Sequence, residues 1–410
     1  MNATESSFVP DPSGRGTLNL LWDCLFTLFL CIWTAIHPDV APRLWIHWTG
    51  TVRFWDIPSS KFVWSLCILF LPELALATAF EQMMLARRIK NSRNEKSTAS
   101  KTDFELSPLA SCNESAPEHS IFCPVRNRMV GGSEPWKLSH GFLLNSGGLQ
   151  FRVHGRAKFL NDVGFETLAL CDMLPSATFL DDKIDKRQKS DRLAKIVVCI
   201  QVTVLLTQTV ARRITDLPIT LLELNTIGQV CCALGLYVAW WNKPQGIKEP
   251  IEIDFRMCNG CLDFLYANGF SEGHHLVDGP TSLADYEHLF MIDMALPRWL
   301  LSCVFSIFYV VIHGCGWNAL FPTEAENTVW RVAVCTLAAA LFLYIWSDFL
   351  VWCGFIRKSK GWFQHGRLIL GVVMVCVKAM FIIEAFISLR RLPAGSYSTP
   401  SWSDMLPHID

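Results

Sequence analysis

Charge is what this sequence has least of. Only 18% of its 410 residues are Asp, Glu, Lys or Arg, against about 25% in soluble domains. The signs cancel, 36 basic against 37 acidic for a net charge of −1, so no global field collects nucleic acid or other polyanions. A nucleic-acid partner is excluded on that ground. A cleavable leader is not evident: the first apolar run begins near Leu18 without a basic n-region, so it is expected to persist as a span. The arrangement of a disulfide-stapled secreted domain is missing too. Although the chain has 16 cysteines, Cys24, Cys31, Cys199, Cys232 and others lie inside apolar runs, where a thiol packs as a small hydrophobe. There is no internal repeat.

Long hydrophobic runs are abundant. Residues of hydrophobic type make up 51% of the chain, including 27 phenylalanines and 16 tryptophans. A helix crossing the hydrocarbon of a bilayer needs about 20 mostly apolar residues. Seven stretches meet this: Leu18–Ile36, Phe62–Phe80, Ala194–Ala211, Thr220–Trp241, Trp299–Trp317, Arg331–Phe355 and Leu368–Leu389. The expected fold is all-α, a polytopic membrane bundle of about seven transmembrane helices with two long cytosolic loops. In order, this gives a tail (1–17), helices 1–2 (18–86), a partly disordered loop (87–193), helices 3–4 (194–241), an acidic loop (242–298), helices 5–7 (299–389) and a tail (390–410). Basic clusters follow the second span (Ala86–Lys96), precede the third (Lys186–Lys195) and follow the sixth (Arg357–Lys360). Placing all three in the cytosol puts the N-terminus in the cytosol and the C-terminus in the lumen.

Asp181, Asp182 and Asp185 have the D-D-x-x-D spacing that holds magnesium against a diphosphate. They are interleaved with Lys183, Lys186, Arg187 and Lys189, as in a solvated, self-paired helix, so no metal is expected there. "CNGC" (Cys258–Cys261) lacks the second pair a zinc site needs, and His274–His275 is a bare loop pair. Trp136, His140, Gly147 and Gly148 suggest an interfacial segment with a tight turn.

Charges inside apolar spans are costly, and so mark candidate sites. Asp23, Glu73, Glu223, His313, Asp348, Lys378 and Glu384 all fall there, with Asn225, Gln201 and Gln208 as neutral hydrogen-bonding groups. Glu73 is near mid-membrane beside Pro72, which frees a backbone carbonyl and favours a kink. A buried carboxylic acid kept protonated can act as a general acid. Glu73 is therefore the candidate acid, with Glu223 or Asp348 as the second catalytic group. Lys378 and Glu384 point to different faces and need partners on other helices.

Several stretches carry a resemblance: "RGTLNLLWDCLFTLFLCIWTAIHP" (Arg15–Pro38), "WKLSHGFLLNSGG" (Trp136–Gly148), "DKRQKSDRLAKIV" (Asp185–Val197) and "WWNKPQGI" (Trp240–Ile247). Together they resemble a family of fungal multi-spanning membrane proteins that includes the membrane-bound terpene cyclase of ascofuranone biosynthesis. The resemblance implies an acid-initiated cyclisation of an epoxidised or unsaturated prenyl chain in fungal secondary metabolism, of meroterpenoid type, with no cofactor. The implied partners are the bilayer and a lipophilic prenylated substrate, and the expected location is the endoplasmic reticulum or another endomembrane. Two other classes fit the same buried charges: an ion- or proton-coupled transporter, and a non-enzymatic scaffold or sensor acting through its loops.

Overall fold

The computed structural model describes residues 5–6, 15–37, 65–66, 68–99, 134–153, 156–160, 164–165, 168–169, 174–188, 191–245, 247, 250–254, 270–271, 295–353 and 361–399. These are mostly helical. The helices are α1 (Thr17–Ala35), α2 (Pro72–Ala99), α3 (Leu138–Asn145), α4 (Ala177–Gln188), α5 (Asp191–Ile214), α6 (Leu221–Trp240), α7 (Ala295–Gly314), α8 (Glu324–Trp352) and α9 (Gly361–Ile387). Short strands accompany them: β1 (Glu5–Ser6), β2 (Leu149–Val153), β3 (Arg156–Leu160), β4 (Ile251–Asp254), β5 (Phe270–Ser271) and β6 (Leu392–Pro393).

Five segments are long and apolar enough to cross a membrane: Thr17–Ala35, Ile196–Ile214, Leu221–Trp240, Glu324–Ser347 and His365–Arg390. This is the build of an integral membrane protein. Four of the five present rows of exposed apolar side chains, such as Trp22, Phe26 and Phe29 on α1 and Leu368, Ile369 and Val372 on α9. An exposed apolar face this extensive suits lipid, not water. The exception is α6, 67% buried against 28% for α5 and for α9. It is the hub, touching α1, α2, α5, α7 and α9. The second and fifth expected spans are less regular. Residues 68–70 are helical, Leu71 breaks the run, and α2 restarts at Pro72. Proline suits a first helical position because its missing N–H would have no partner there anyway. In α7, the shorter apolar segment is Cys303–Asn318.

Side-chain contacts fix the directions of the helices. Arg15 meets Glu223, Thr34 meets Tyr237 and His37 meets Trp240, so α1 runs parallel to α6. Gln229 meets Leu69 and Gln82 meets Trp240, so α2 runs the same way. By contrast α7 is antiparallel to α6 (His313 with Asn225, Gly316 with Leu224), and α9 is antiparallel to α8 (Tyr344 with Arg367, Trp330 with Phe381, Glu326 with Arg390).

The end of α2 and the start of α5, which adjoin the first two basic clusters, therefore lie at one side of the bundle; Arg357–Lys360 lies outside the described residues. The placement of the chain ends needs correction. β1 pairs with β6, the Arg15 N–H donates to the Tyr397 carbonyl at 3.1 Å, and the buried Arg212 guanidinium donates to the carbonyls of Pro218, Gly395, Ser396 and Ser398. Both ends of the chain meet at the side opposite the basic clusters. Seven alternating spans would separate them, and the parallel run of α1 and α2 is why they are not separated. The connection between those two helices, residues 38–64, lies outside the described residues.

At the other end the two expected loops merge into one layer. β2 from the first pairs in parallel with β4 from the second, Leu149 opposite Ile251, in a four-stranded sheet of order β4-β2-β3-β5. The fold is thus helical with a small mixed sheet added. The layer has its own core, including Trp136, Leu144, Phe151, Leu168, Leu180 and Ile251. It docks on the extension of α2 through Gly141, where a Cβ would lie 2.2 Å from the Ala86 carbonyl oxygen. Trp136, expected at the bilayer interface, is buried in this core at 3% exposure, whereas the tight turn is present, with Gly147 at φ 72°.

Two outcomes are expected. Protease-protection of tags in sealed vesicles should place N- and C-terminal tags on one side of the membrane and a tag inserted within residues 100–133 on the other. Arg212→Ala, which orphans four carbonyls beside a buried carboxylate, should lower stability by about 3–5 kcal/mol, read as loss of monodisperse protein on heating in detergent.

Candidate functional site

Glu73 and Lys378 come together at the middle of the bundle. Both carboxylate oxygens of Glu73 accept hydrogen bonds from the Lys378 ammonium, Oε2 at 2.6 Å and Oε1 as well. Lys378 is 0% exposed and Glu73 7%. The ammonium also lies 4.5 Å from the centroid of the Tyr309 ring, a cation–π contact that strengthens when water is excluded. Lys378 thus finds its partner on another helix, as its span required.

An aromatic wall extends from this pair. The His313 ring lies 4.4 Å from Tyr309 and 4.4 Å from Phe381, and Trp330 lies 4.7 Å from Phe381. His313 Nδ1 donates to the Tyr309 carbonyl at 2.9 Å, which leaves Nε2 as the acceptor facing the Asn225 amide at 3.4 Å. That amide serves as donor once its O and N, which are not told apart by shape, are exchanged. Trp330 Nε1 donates to the His313 carbonyl at 3.2 Å. Gln229 Nε2 donates to the Leu69 carbonyl at 2.7 Å, the group left without a helical donor where α2 restarts at Pro72. Gln229 Oε1 and the Tyr309 hydroxyl are both buried and lie close enough to interact with each other.

Glu223, one of the two candidates for the second catalytic group, does not meet Glu73. Glu223 forms the capping box of α6: its Oε2 accepts from the Thr220 N–H and hydroxyl, both at 2.9 Å, while Thr220 Oγ1 accepts from the Glu223 N–H. Its Oε1 takes Arg15 at 2.6 Å, with Arg212 at 4.0 Å. Glu223 therefore ties the start of α6 to both chain ends, and lies roughly 10 Å along the axis from the level of Glu73. Asp348 is near the far end of α8, about 27 Å beyond Trp330; its side chain lies outside the described residues. The chemistry available to Glu73 is that of a carboxylate shared with an ammonium, not of an isolated acid. Lys378 stands out in the sequence as a charge inside a span, but nothing there joins it to Glu73, since six helices lie between them along the chain. Tyr309, on the face of α7 shared with His313, gave no charge signal at all.

Asp181 also has a different role from the self-paired one expected. It accepts from Lys137 at 2.7 Å and from His140 Nε2 at 2.9 Å, pinning α4 to α3. His140 Nδ1 accepts from the Lys137 N–H at 3.2 Å, so the ring is the Nε2–H tautomer. Burial holds the His140 pKa below its ordinary value, against the opposing pull of Asp181. Burial raises the Asp181 carboxyl, but the bonds from Lys137 and His140 outweigh it and leave the pKa lowered. Cys258, Cys261, His274 and His275 lie outside the described residues.

The ion pair makes a specific demand. Lys378→Met or Glu73→Gln alone strands a buried charge and should cost about 3–5 kcal/mol, whereas the double variant should recover most of it; thermal melting in detergent is the readout. The α3–α4 contact should respond to acid. A lowered folded-state pKa means that protonation favours the undocked form, so the His140 contribution is complete above about pH 6.5 and fades below it, and that of Asp181 fades only below about pH 4. Protection factors of the amides across 138–145 and 177–188, taken relative to the intrinsic exchange rate at each pH, should fall between pH 7 and pH 5, and less so in His140→Gln.

No curated protein and no solved structure matches this sequence. A family profile described as "Family of unknown function (DUF8562)" matches residues 1–266 and 298–409. The buried Glu73–Lys378 site and the joined chain ends both fall within those residues, and the chain belongs to that family.

Proposed function

We propose that this protein is a membrane-bound terpene cyclase that closes a ring on an epoxidised or unsaturated prenyl chain by acid initiation, through Glu73 and Lys378. The observation that carries the reading is a desolvated proton donor–acceptor pair flanked by stacked aromatic faces at mid-bundle. The four stretches that resemble fungal multi-spanning proteins support it further.

The steps balance as an isomerisation. The Lys378 ammonium gives a proton to the epoxide oxygen, and the carbon–oxygen bond breaks as an alkene or hydroxyl within the substrate attacks the carbon. Cationic charge developing on the chain is stabilised by the π faces of Tyr309, Phe381 and Trp330. Glu73 then takes the proton released from the ring and returns it to the Lys378 amine.

A second reading is an ion- or proton-coupled transporter, favoured by the mid-depth position of the pair between apolar helices. The two differ in outcome. Membranes of an expressing fungus fed epoxidised prenyl phenols should convert them to cyclic isomers. Conversion should fall by about 100-fold or more in the Glu73→Gln/Lys378→Met double variant, the size of effect expected for losing a general acid, while the protein stays folded. Unchanged conversion in that variant removes the assignment. Substrate accumulated unaltered in proteoliposomes establishes transport instead.

A further inference from the structure

We infer that the lipid-facing seam between α8 and α9 is a binding site for a single-chain amphiphile bearing one positive charge, such as a long-chain amine. A groove of about 370 Å³ runs along this seam. Its walls are aliphatic: Val329, Val332 and Ala333 from α8, and Cys376, Val377 and Met380 from α9. The two threonines that also line it offer no free donor. Thr328 Oγ1 is turned back to the Glu324 carbonyl at 2.9 Å and Thr336 Oγ1 to the Val332 carbonyl at 2.7 Å. The groove recognises hydrocarbon and nothing else along its length, roughly 12 Å from Thr328 to Thr336.

Its head is different. One turn further toward the chain ends, the same helix faces carry Glu326, three residues before Val329, and Glu384, four residues after Met380. Residues at such spacings stack on one face. Arg390 pairs with Glu326 Oε1, and Glu384 lies within electrostatic reach of both Glu326 and Arg390. Among the described residues, two carboxyl groups share the one Arg390 guanidinium here. Glu384 is 6% exposed, and its Oε1 and Glu326 Oε2 are buried without a hydrogen-bond partner among the described residues. Buried carboxylate oxygens call for donors. A monocation with N–H groups satisfies both atoms, and its tail follows the groove toward the middle of the bilayer. A carboxylate or phosphate head is repelled.

The site is independent of any cyclase or transport activity and is tested by binding alone. Purified protein in nanodiscs is photolabelled with a diazirine-bearing long-chain amine, in competition with the unlabelled amine, alcohol and carboxylate of the same chain length. Labels are expected on α8 and α9 peptides containing Val329–Thr336 and Cys376–Met380. The amine is expected to compete about tenfold better than the alcohol, as for a charge-assisted bond against a neutral one, and the carboxylate worst. Glu384→Gln should bring amine and alcohol level. Val332→Trp, which adds bulk at a lipid-facing position, should abolish labelling in a folded protein. Equal competition by the three head groups, a preference for the alcohol, or labels spread evenly over all helices overturns the inference.

Discussion

The contact between the Glu73 carboxylate and the Lys378 ammonium is the constraint on which the bundle depends. Two charges in hydrocarbon are each costly, and they become tolerable only when each satisfies the other. Pairing them fixes α2 against α9, the Tyr309 ring against the ammonium adds α7, and the rings that continue from Tyr309 through His313 and Phe381 to Trp330 add α8. The hub helix α6 fills the remaining side with Gln229 and Asn225, whose amides serve the broken carbonyl of α2 and the ring of His313. A polar thread therefore runs through the apolar core, and each group in it sets the position of the next.

A second polar knot closes the structure at the end where the chain begins and finishes. Glu223, Arg15 and Arg212 join the start of α6 to both termini. The arrangement explains why two acids that look alike in sequence differ in meaning. Glu223 sits three residues after Thr220 and caps a helix, whereas Glu73 follows a helix break and is left to meet a distant cation. At the opposite end, the merging of two loops into one sheet gives the membrane bundle a separate, water-facing core.

Much of the membrane architecture was legible in the sequence because apolar length is a strong, local signal. The runs at Leu18–Ile36, Thr220–Trp241 and Leu368–Leu389 correspond closely to α1, α6 and α9. The need of Lys378 for a partner on another helix was also readable. Direction was not, because hydropathy counts spans without revealing that α1 and α2 run the same way. The sheet escaped notice because "LQFRV" and "IEID" are short and pair across about 100 residues. The capping box at Thr220–Glu223 was present as a T-x-x-E pattern but was masked by the expectation that a charge in a span is functional. The choice of Glu223 or Asp348 as the second group beside Glu73 could not be made on depth, because depth in a helix fixes height but not azimuth, nor what a side chain is already holding.

The account is tested most directly by measuring the separation of the Lys378 side-chain nitrogen from the Glu73 carboxyl carbon in the bilayer, by dipolar recoupling in solid-state NMR with selectively labelled residues. A strong coupling, with the nitrogen at the shift of an ammonium shielded from solvent exchange, is the expected result. No measurable coupling, or an ammonium that exchanges freely with water, would contradict the central role given to this pair.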